Sequence, residues 1–232
     1  MPRTSGLFIR SGVHLAFQTN KLKSAIVYHD RSISQNIFKD AEFISGHLGN
    51  YPNLFIKDLK SFTILRDPVE RFISWFFFMY ENSRSFEELE KIFDQWLYNP
   101  GIYPYLSDMQ TKFLTGTVDE TGFNSTKSIM DKTMNEWFLK DYSFDESVMR
   151  AKVDSISCYT VETRGILLDD IIRYMGKTYG FVPNFQHRNM MFNSSTSKRF
   201  NITDKMINRI KELNQNDILL YDMVKRSNPK PL

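Results

Sequence analysis

The sequence predicts an α/β fold: a parallel sheet with helices on both faces, formed by residues 1–232 as one domain. Short apolar, β-favouring runs alternate along the chain with stretches of helical periodicity, the pattern of βαβ units. The clearest such unit is Phe62–Leu65, a short apolar strand followed at once by Asp67 and Pro68. An N-cap acceptor with proline at the first helical position is a helix start, and Val69, Phe72, Ile73 and Phe76 then recur at helical spacing. A length of 232 residues suits one sizeable core, and no internal repeat or linker divides the chain.

Composition narrows the class. Hydrophobic residues at 41% and charged residues at 25% are those of an ordinary globular protein. The net charge of +3 is too small for general nucleic-acid binding but permits a local basic groove. Cys158, the single cysteine, rules out an intrachain disulfide framework and reads as a small buried side chain in an apolar run. The 20 Phe and 11 Tyr indicate a bulky aromatic core. No run reaches the length of a membrane helix and no signal peptide is recognisable. Sequons at Asn124, Asn193 and Asn201 do not fix the compartment.

Taken in order, the chain begins with a turn-forming segment and an amphipathic helix reaching about Phe17. Residues 23–28 read as a strand, 30–40 as a polar loop with a short helix, and 41–47 as a second strand ending in Gly46 and His47. Open α/β sheets place their sites beyond the carboxyl ends of strands, which makes His47 a candidate. Helices follow at 69–80 and 85–98, the second opened by a capping box of Ser85 and Glu88. Pro100, Gly101 and Pro104 break the pattern, and 107–116 reads as a short amphipathic helix. Residues 117–127 read as a surface loop, and 128–142 mix charge with helical pattern. A helix at 145–153 feeds a strand at 155–161, then Glu162, then a helix at 166–179 stopped by Gly180. Residues 181–200 are irregular, and 204–226 read as a terminal helix.

Arg66 stands on the turn between the Phe62–Leu65 strand and its helix. Helix N–H groups and the helix dipole favour an anion there, and a guanidinium grips phosphate through parallel hydrogen bonds. Ser74 lies three residues after Arg71, so that both can project from one helix face. The same residues also fit a well-capped helix with a salt-bridged surface arginine.

The run Arg66-Asp-Pro-Val-Glu-Arg-Phe-Ile-Ser74 resembles the 3′-phosphate-binding signature of sulfotransferases that use 3′-phosphoadenosine 5′-phosphosulfate (PAPS). The resemblance implies a P-loop-like three-layer sandwich around a central parallel sheet, with Arg66 and Ser74 on the donor's 3′-phosphate. The family's first strand has no counterpart ahead of Pro2: either the chain is truncated or another segment fills that edge. Pro2, Arg3, Thr4, Ser5 and Gly6 match in position the loop that wraps the 5′-phosphosulfate. Arg3 stands where lysine is usual, and Leu7 and Phe8 replace a threonine and a serine, removing two hydroxyl donors. Ser45-Gly46-His47 is similar to the second half of the His-Gly-His of uronyl 2-O-sulfotransferases. On that likeness His47 is the base that activates the acceptor, and Arg3 steadies the departing phosphate. The segment 107–116 resembles a family stretch that lines the acceptor cleft, which makes Gln110, Thr111 and Lys112 candidates there. Lys198 and Arg199 fall in the family's region over the nucleotide, and the run from Asn214 to Asp222 resembles its closing polar kink.

The resemblance therefore implies a PAPS-dependent sulfotransferase acting on a carbohydrate hydroxyl, of the uronyl or heparan sulfate 2-O-sulfotransferase-like branch. Its partner would be an oligo- or polysaccharide; no nucleic acid, metal or membrane span is expected, and oligomeric state is open. A degenerate relative that binds nucleotide or glycan without turnover is the alternative. A nucleoside-phosphate kinase is disfavoured by the lack of a Gly-x-x-x-x-Gly-Lys-Ser/Thr loop. The compartment is left open: a soluble, cytoplasmic protein is the expectation for the chain as it stands, and the Golgi lumen if an anchor precedes it.

Overall fold

The computed structural model describes residues 6–27, 41–46, 60–80, 85–101, 106–115, 143–185, 200–227, 229 and 232. In order these give α1 (Gly6–Thr19), β1 (Ser24–Val27), β2 (Phe43–Gly46), β3 (Phe62–Leu65), α2 (Pro68–Tyr80), α3 (Phe86–Tyr98) and α4 (Met109–Thr115). They continue with α5 (Glu146–Ser155), β4 (Ser157–Thr160), α6 (Arg164–Tyr179), α7 (Asp204–Leu213) and α8 (Gln215–Arg226). The expected loops at 30–40 and 117–127, and the segment 128–142, lie outside the described residues.

Both strand pairings among the described residues are parallel. β1 runs beside β2 from Ser24↔Phe43 to Val27↔Gly46, and β3 beside β4 from Phe62↔Ser157 to Leu65↔Thr160. Alternate residues of a strand face opposite sides, and the β3–β4 pair uses both. Ile64 and Tyr159 face a cluster made by Ile9, Val13 and Phe17 of α1 with Leu167, Ile171 and Met175 of α6. Leu65 and Cys158 face the other way, onto Leu114 of α4, Met149 of α5, and Leu220, Tyr221 and Val224 of α8. Helices thus cover both faces of a parallel pair, the mixed helix and strand arrangement expected from sequence. Such strands need apolar side chains on both sides, which explains why Cys158 is buried.

The aromatic residues gather beside this pair. Phe72, Trp75, Phe76 and Phe77 of α2 pack with Leu89, Phe93, Trp96 and Leu97 of α3, and with Phe200 and Ile210. The rings meet edge to face, Phe76 lying 4.7 Å from Phe93 at 75° and 5.2 Å from Trp96 at 84°, the arrangement favoured by ring quadrupoles.

Helix ends follow the local chemistry. Ser85 and Glu88 form the complete capping box on α3. α6 ends at Gly180 in the left-handed conformation, φ 75°, which costs glycine little. The single terminal helix expected at 204–226 is two helices, α7 and α8, broken at Asn214. Asn214 leaves helical geometry because its side chain bonds in several directions: Nδ2 donates to Ile210 O, while Oδ1 accepts from Asp108 N and Arg71 Nη2.

Candidate active site

The β3–α2 turn begins where β3 runs out of apolar residues. Asp67 Oδ1 accepts from Glu70 N at 2.9 Å, and Asp67 O accepts the first helical bond, from Arg71 N. Pro68 has no N–H to offer. The amides at the start of α2 are therefore largely taken by Asp67, and the expected row of helix N–H donors for an anion is reduced. The positive group presented by the turn is the Arg66 side chain. It is 28% exposed, and its Nε donates to Glu70 at 3.1 Å. Ser74, in the second turn of α2, is partly buried. Arg71 does not join it on an open face: it is wholly buried and turned inward.

The Arg66 backbone is held from behind. Gln110 Oε1 accepts from Arg66 N, and Gln110 Nε2 donates to Arg66 O, both at 2.9 Å. Gln110 is in turn set by Asp217. Asp217 Oδ2 accepts from Gln110 N, while Oδ1 accepts from Thr111 N and Thr111 Oγ1. These are amides of the first turn of α4, so a residue of α8 caps α4. The reverse also holds. Asp108, just ahead of α4, accepts from Asn216 N and Asp217 N in the first turn of α8, and from Asn216 Nδ2. Two helix N-termini thus face each other, each closed by a carboxylate from the other side.

Arg71 supplies positive charge to this arrangement. Its Nη2 donates to Leu106 O and Asn214 Oδ1, its Nε lies 3.7 Å from Asp217, and neither Nε nor Nη1 has a hydrogen-bond partner among the described residues. Burial pulls the Arg71 guanidinium down, against the pull of Asp217 and Asp108. Burial, with Asp217 nearby, raises the Asp108 carboxyl despite its hydrogen bonds. Lys112, whose Nζ donates to Ser107 Oγ, is pulled down to about 8 by burial.

Beside the turn lies the end of β4. Val161 N donates to Leu65 O, which brings Glu162 alongside Arg66 and Asp67. Tyr221 of α8 donates to Glu162 Oε1 at 2.6 Å. Burial pushes the Glu162 carboxyl up, but hydrogen bonds from Tyr221, Thr160 and its own backbone, with Lys225 nearby, outweigh it and hold it below the usual carboxylate range. Tyr221 is raised by burial and by Glu162, with Asp67 and Glu70 close enough to add to the effect. The Arg66 side chain is thus paired with Glu70, and the carboxylates of Asp67 and Glu162 belong to the same end of the β3–β4 pair.

Of the residues singled out from sequence, the structure brings Arg66 and Ser74 onto the same strand-to-helix unit. Gly6 is the first residue of α1. Arg3, Thr4, Ser5, His47, Lys198 and Arg199 lie outside the described residues. The placement of Gln110, Thr111 and Lys112 on an acceptor cleft is corrected: they are 1%, 0% and 5% exposed. Their polar atoms serve α4 and the Arg66 turn, where an unpaired backbone group would otherwise be buried. Asp108, Asp217 and Glu162 were missed as site-forming residues. The polar run from Asn214 to Asp217 inside a helical pattern was the signal for Asp217, and the position of Glu162 between a strand and a helix was the signal for Glu162. Among the described residues no group of three or more His, Cys, Asp or Glu side chains could hold a metal ion, and no helix is long and apolar enough to cross a membrane.

A family model described as "Sulfotransferase family" matches residues 17–223. The match includes His47, the whole run from Arg66 to Ser74, Lys198 and Arg199, and starts after the segment from Pro2 to Gly6. Comparison with curated proteins and with solved structures returns no match.

Proposed function

Because the chain belongs to the sulfotransferase family, we propose that it transfers a sulfuryl group from PAPS to a hydroxyl of a carbohydrate, an oligo- or polysaccharide. The observation that carries this reading is the Arg66 turn. A strand ends, a capped helix begins, and the single guanidinium between them is fixed through its backbone while its side chain reaches the surface. That suits a group meant to hold a 3′-phosphate, with Ser74 one helical stretch further on. Helices on both faces of the β3–β4 pair support a P-loop-like three-layer sandwich as the complete fold.

In this reading the donor's 5′ end meets Arg3, Thr4, Ser5 and Gly6, and Lys198 and Arg199 lie over the nucleotide. The acceptor oxygen attacks sulfur as the bond from sulfur to the 5′-phosphate oxygen breaks. The hydroxyl proton goes to His47, and Arg3 offsets charge on the departing phosphate. Arg66 and Ser74 hold the other end of the donor so that attack is in line. The resemblance to uronyl 2-O-sulfotransferases rests on Gly46 and His47 and makes a uronic-acid glycan the first acceptor to try. The pairing of Arg66 with Glu70, and Leu7 and Phe8 in place of hydroxyl residues, favour the second reading, a relative that binds without turnover.

The test is mass spectrometry of glycans incubated with PAPS and the protein. Sulfated product from a uronic-acid glycan supports the proposal. Tight binding of adenosine 3′,5′-bisphosphate with no product on any glycan selects the second reading.

A further inference from the structure

We infer that Gln110 is a positioning residue for the phosphate site, setting the Arg66 turn through a paired backbone clamp of one acceptor and one donor. This rests on Arg66 being the donor's phosphate ligand. The geometry is specific. Arg66 offers one backbone N–H and one C=O where β3 has ended, and Gln110 meets both with one planar group, acceptor to N–H and donor to C=O, each at 2.9 Å. Gln110 itself is 1% exposed, so its carboxamide makes these bonds away from bulk water. Gln110 is itself fixed at the second position of α4, where its own N–H is taken by Asp217 Oδ2. A line of hydrogen bonds therefore runs from the start of α8, through the start of α4, to the backbone of the residue that meets the phosphate.

The consequence is a dependence on the proton at position 110. In Gln110→Glu an ionised carboxylate still accepts from Arg66 N–H but faces Arg66 C=O with a lone pair. A protonated carboxyl restores the donor. The charged groups around this position are Arg66, Asp67 and Glu70 at the turn, Arg71 on α2, Asp108 and Lys112 at α4, Glu162 at the end of β4, and Asp217 on α8. Asp217, one hydrogen bond away, keeps the introduced carboxyl harder to ionise.

The experiment is calorimetry of adenosine 3′,5′-bisphosphate binding to wild type, Gln110→Glu, Gln110→Leu and Arg66→Ala from pH 8 to 5.5. Each variant is expressed as its Kd over that of wild type at the same pH, which cancels titration of the ligand. We expect Gln110→Glu to bind about tenfold more weakly at pH 8, the scale of a buried group left unpaired, and the ratio to close towards one at pH 5.5. Gln110→Leu should be weakened by at least as much at every pH, and if it fails to fold, Gln110→Glu alone carries the test. A Gln110→Glu ratio of one throughout overturns the inference. So does a ratio that is large but flat with pH, the mark of a merely structural role. Arg66→Ala binding like wild type would instead remove the phosphate-site reading, and this inference with it.

Discussion

Asp217→Ala removes the carboxylate that joins α8, α4 and Arg71, and its cost can be worked from the contacts. Three hydrogen bonds are lost, from Gln110 N, Thr111 N and Thr111 Oγ1 at 3.1, 2.7 and 2.9 Å. Arg71, at 0% exposure, loses its nearest countercharge. Leaving a buried charge without its partner costs about 3–5 kcal/mol, and losing a helix cap about 1 kcal/mol more. Set against a total of about 5–15 kcal/mol for a typical protein, that brings the variant close to unfolding. Urea titration should show the midpoint falling by about 1–2 M, given a slope of about 3 kcal/mol per M for a chain of this size. Adding Arg71→Met should recover part of the loss, because removing both charges of a buried pair is far cheaper than removing one. A loss under about 1 kcal/mol, or no recovery in the double variant, would refute the reasoning.

Other expectations follow from the same geometry. Lys112, at about 8 rather than 10.5, sheds its proton in the folded state first, so between those values the unfolded chain binds more protons. Wild-type stability relative to Lys112→Met should therefore rise as pH climbs from about 8 to 10.5; a difference in urea midpoint that stays level or falls contradicts this. Glu70→Gln frees Arg66 from an exposed ion pair and should tighten bisphosphate binding about two- to fivefold, read by calorimetry, with weaker binding counting against competition for Arg66. His47→Ala should lower sulfate transfer by about 10²- to 10⁴-fold with little change in donor affinity; wild-type turnover would move the base elsewhere, with His14 on α1 or a cleft carboxylate next.

The parts of the fold legible in sequence are those decided locally. Phe62–Leu65, the Asp67-Pro68 start, the Ser85–Glu88 box and the Gly180 stop each depend on neighbours a few residues away, and each is found where the pattern put it. The burial of Arg71 was also readable: Pro68, Arg71, Phe72 and Trp75 are all buried and share one helical stripe. Its charge made it look like a ligand residue. The crossed caps were not readable, because Asp108 and the amide it accepts from at Asp217 are 109 residues apart. Gln110 illustrates the same limit. A polar side chain on a short amphipathic helix suggests a cleft wall, and only the unmet backbone of Arg66, 44 residues away, gives it its place. The expected strand-to-helix turn forms, and Asp67 accepts from the Glu70 amide at the helix start.

Arg66 is proposed to hold the 3′-phosphate of the sulfate donor. Calorimetry of adenosine 3′,5′-bisphosphate against wild type and a folded Arg66→Ala protein tests it most directly. Loss of a charge-assisted contact of this kind is worth about 1.5–3 kcal/mol, a weakening of about 10- to 150-fold, with Ser74→Ala weakening it less. Equal affinity in wild type and Arg66→Ala would contradict the claim.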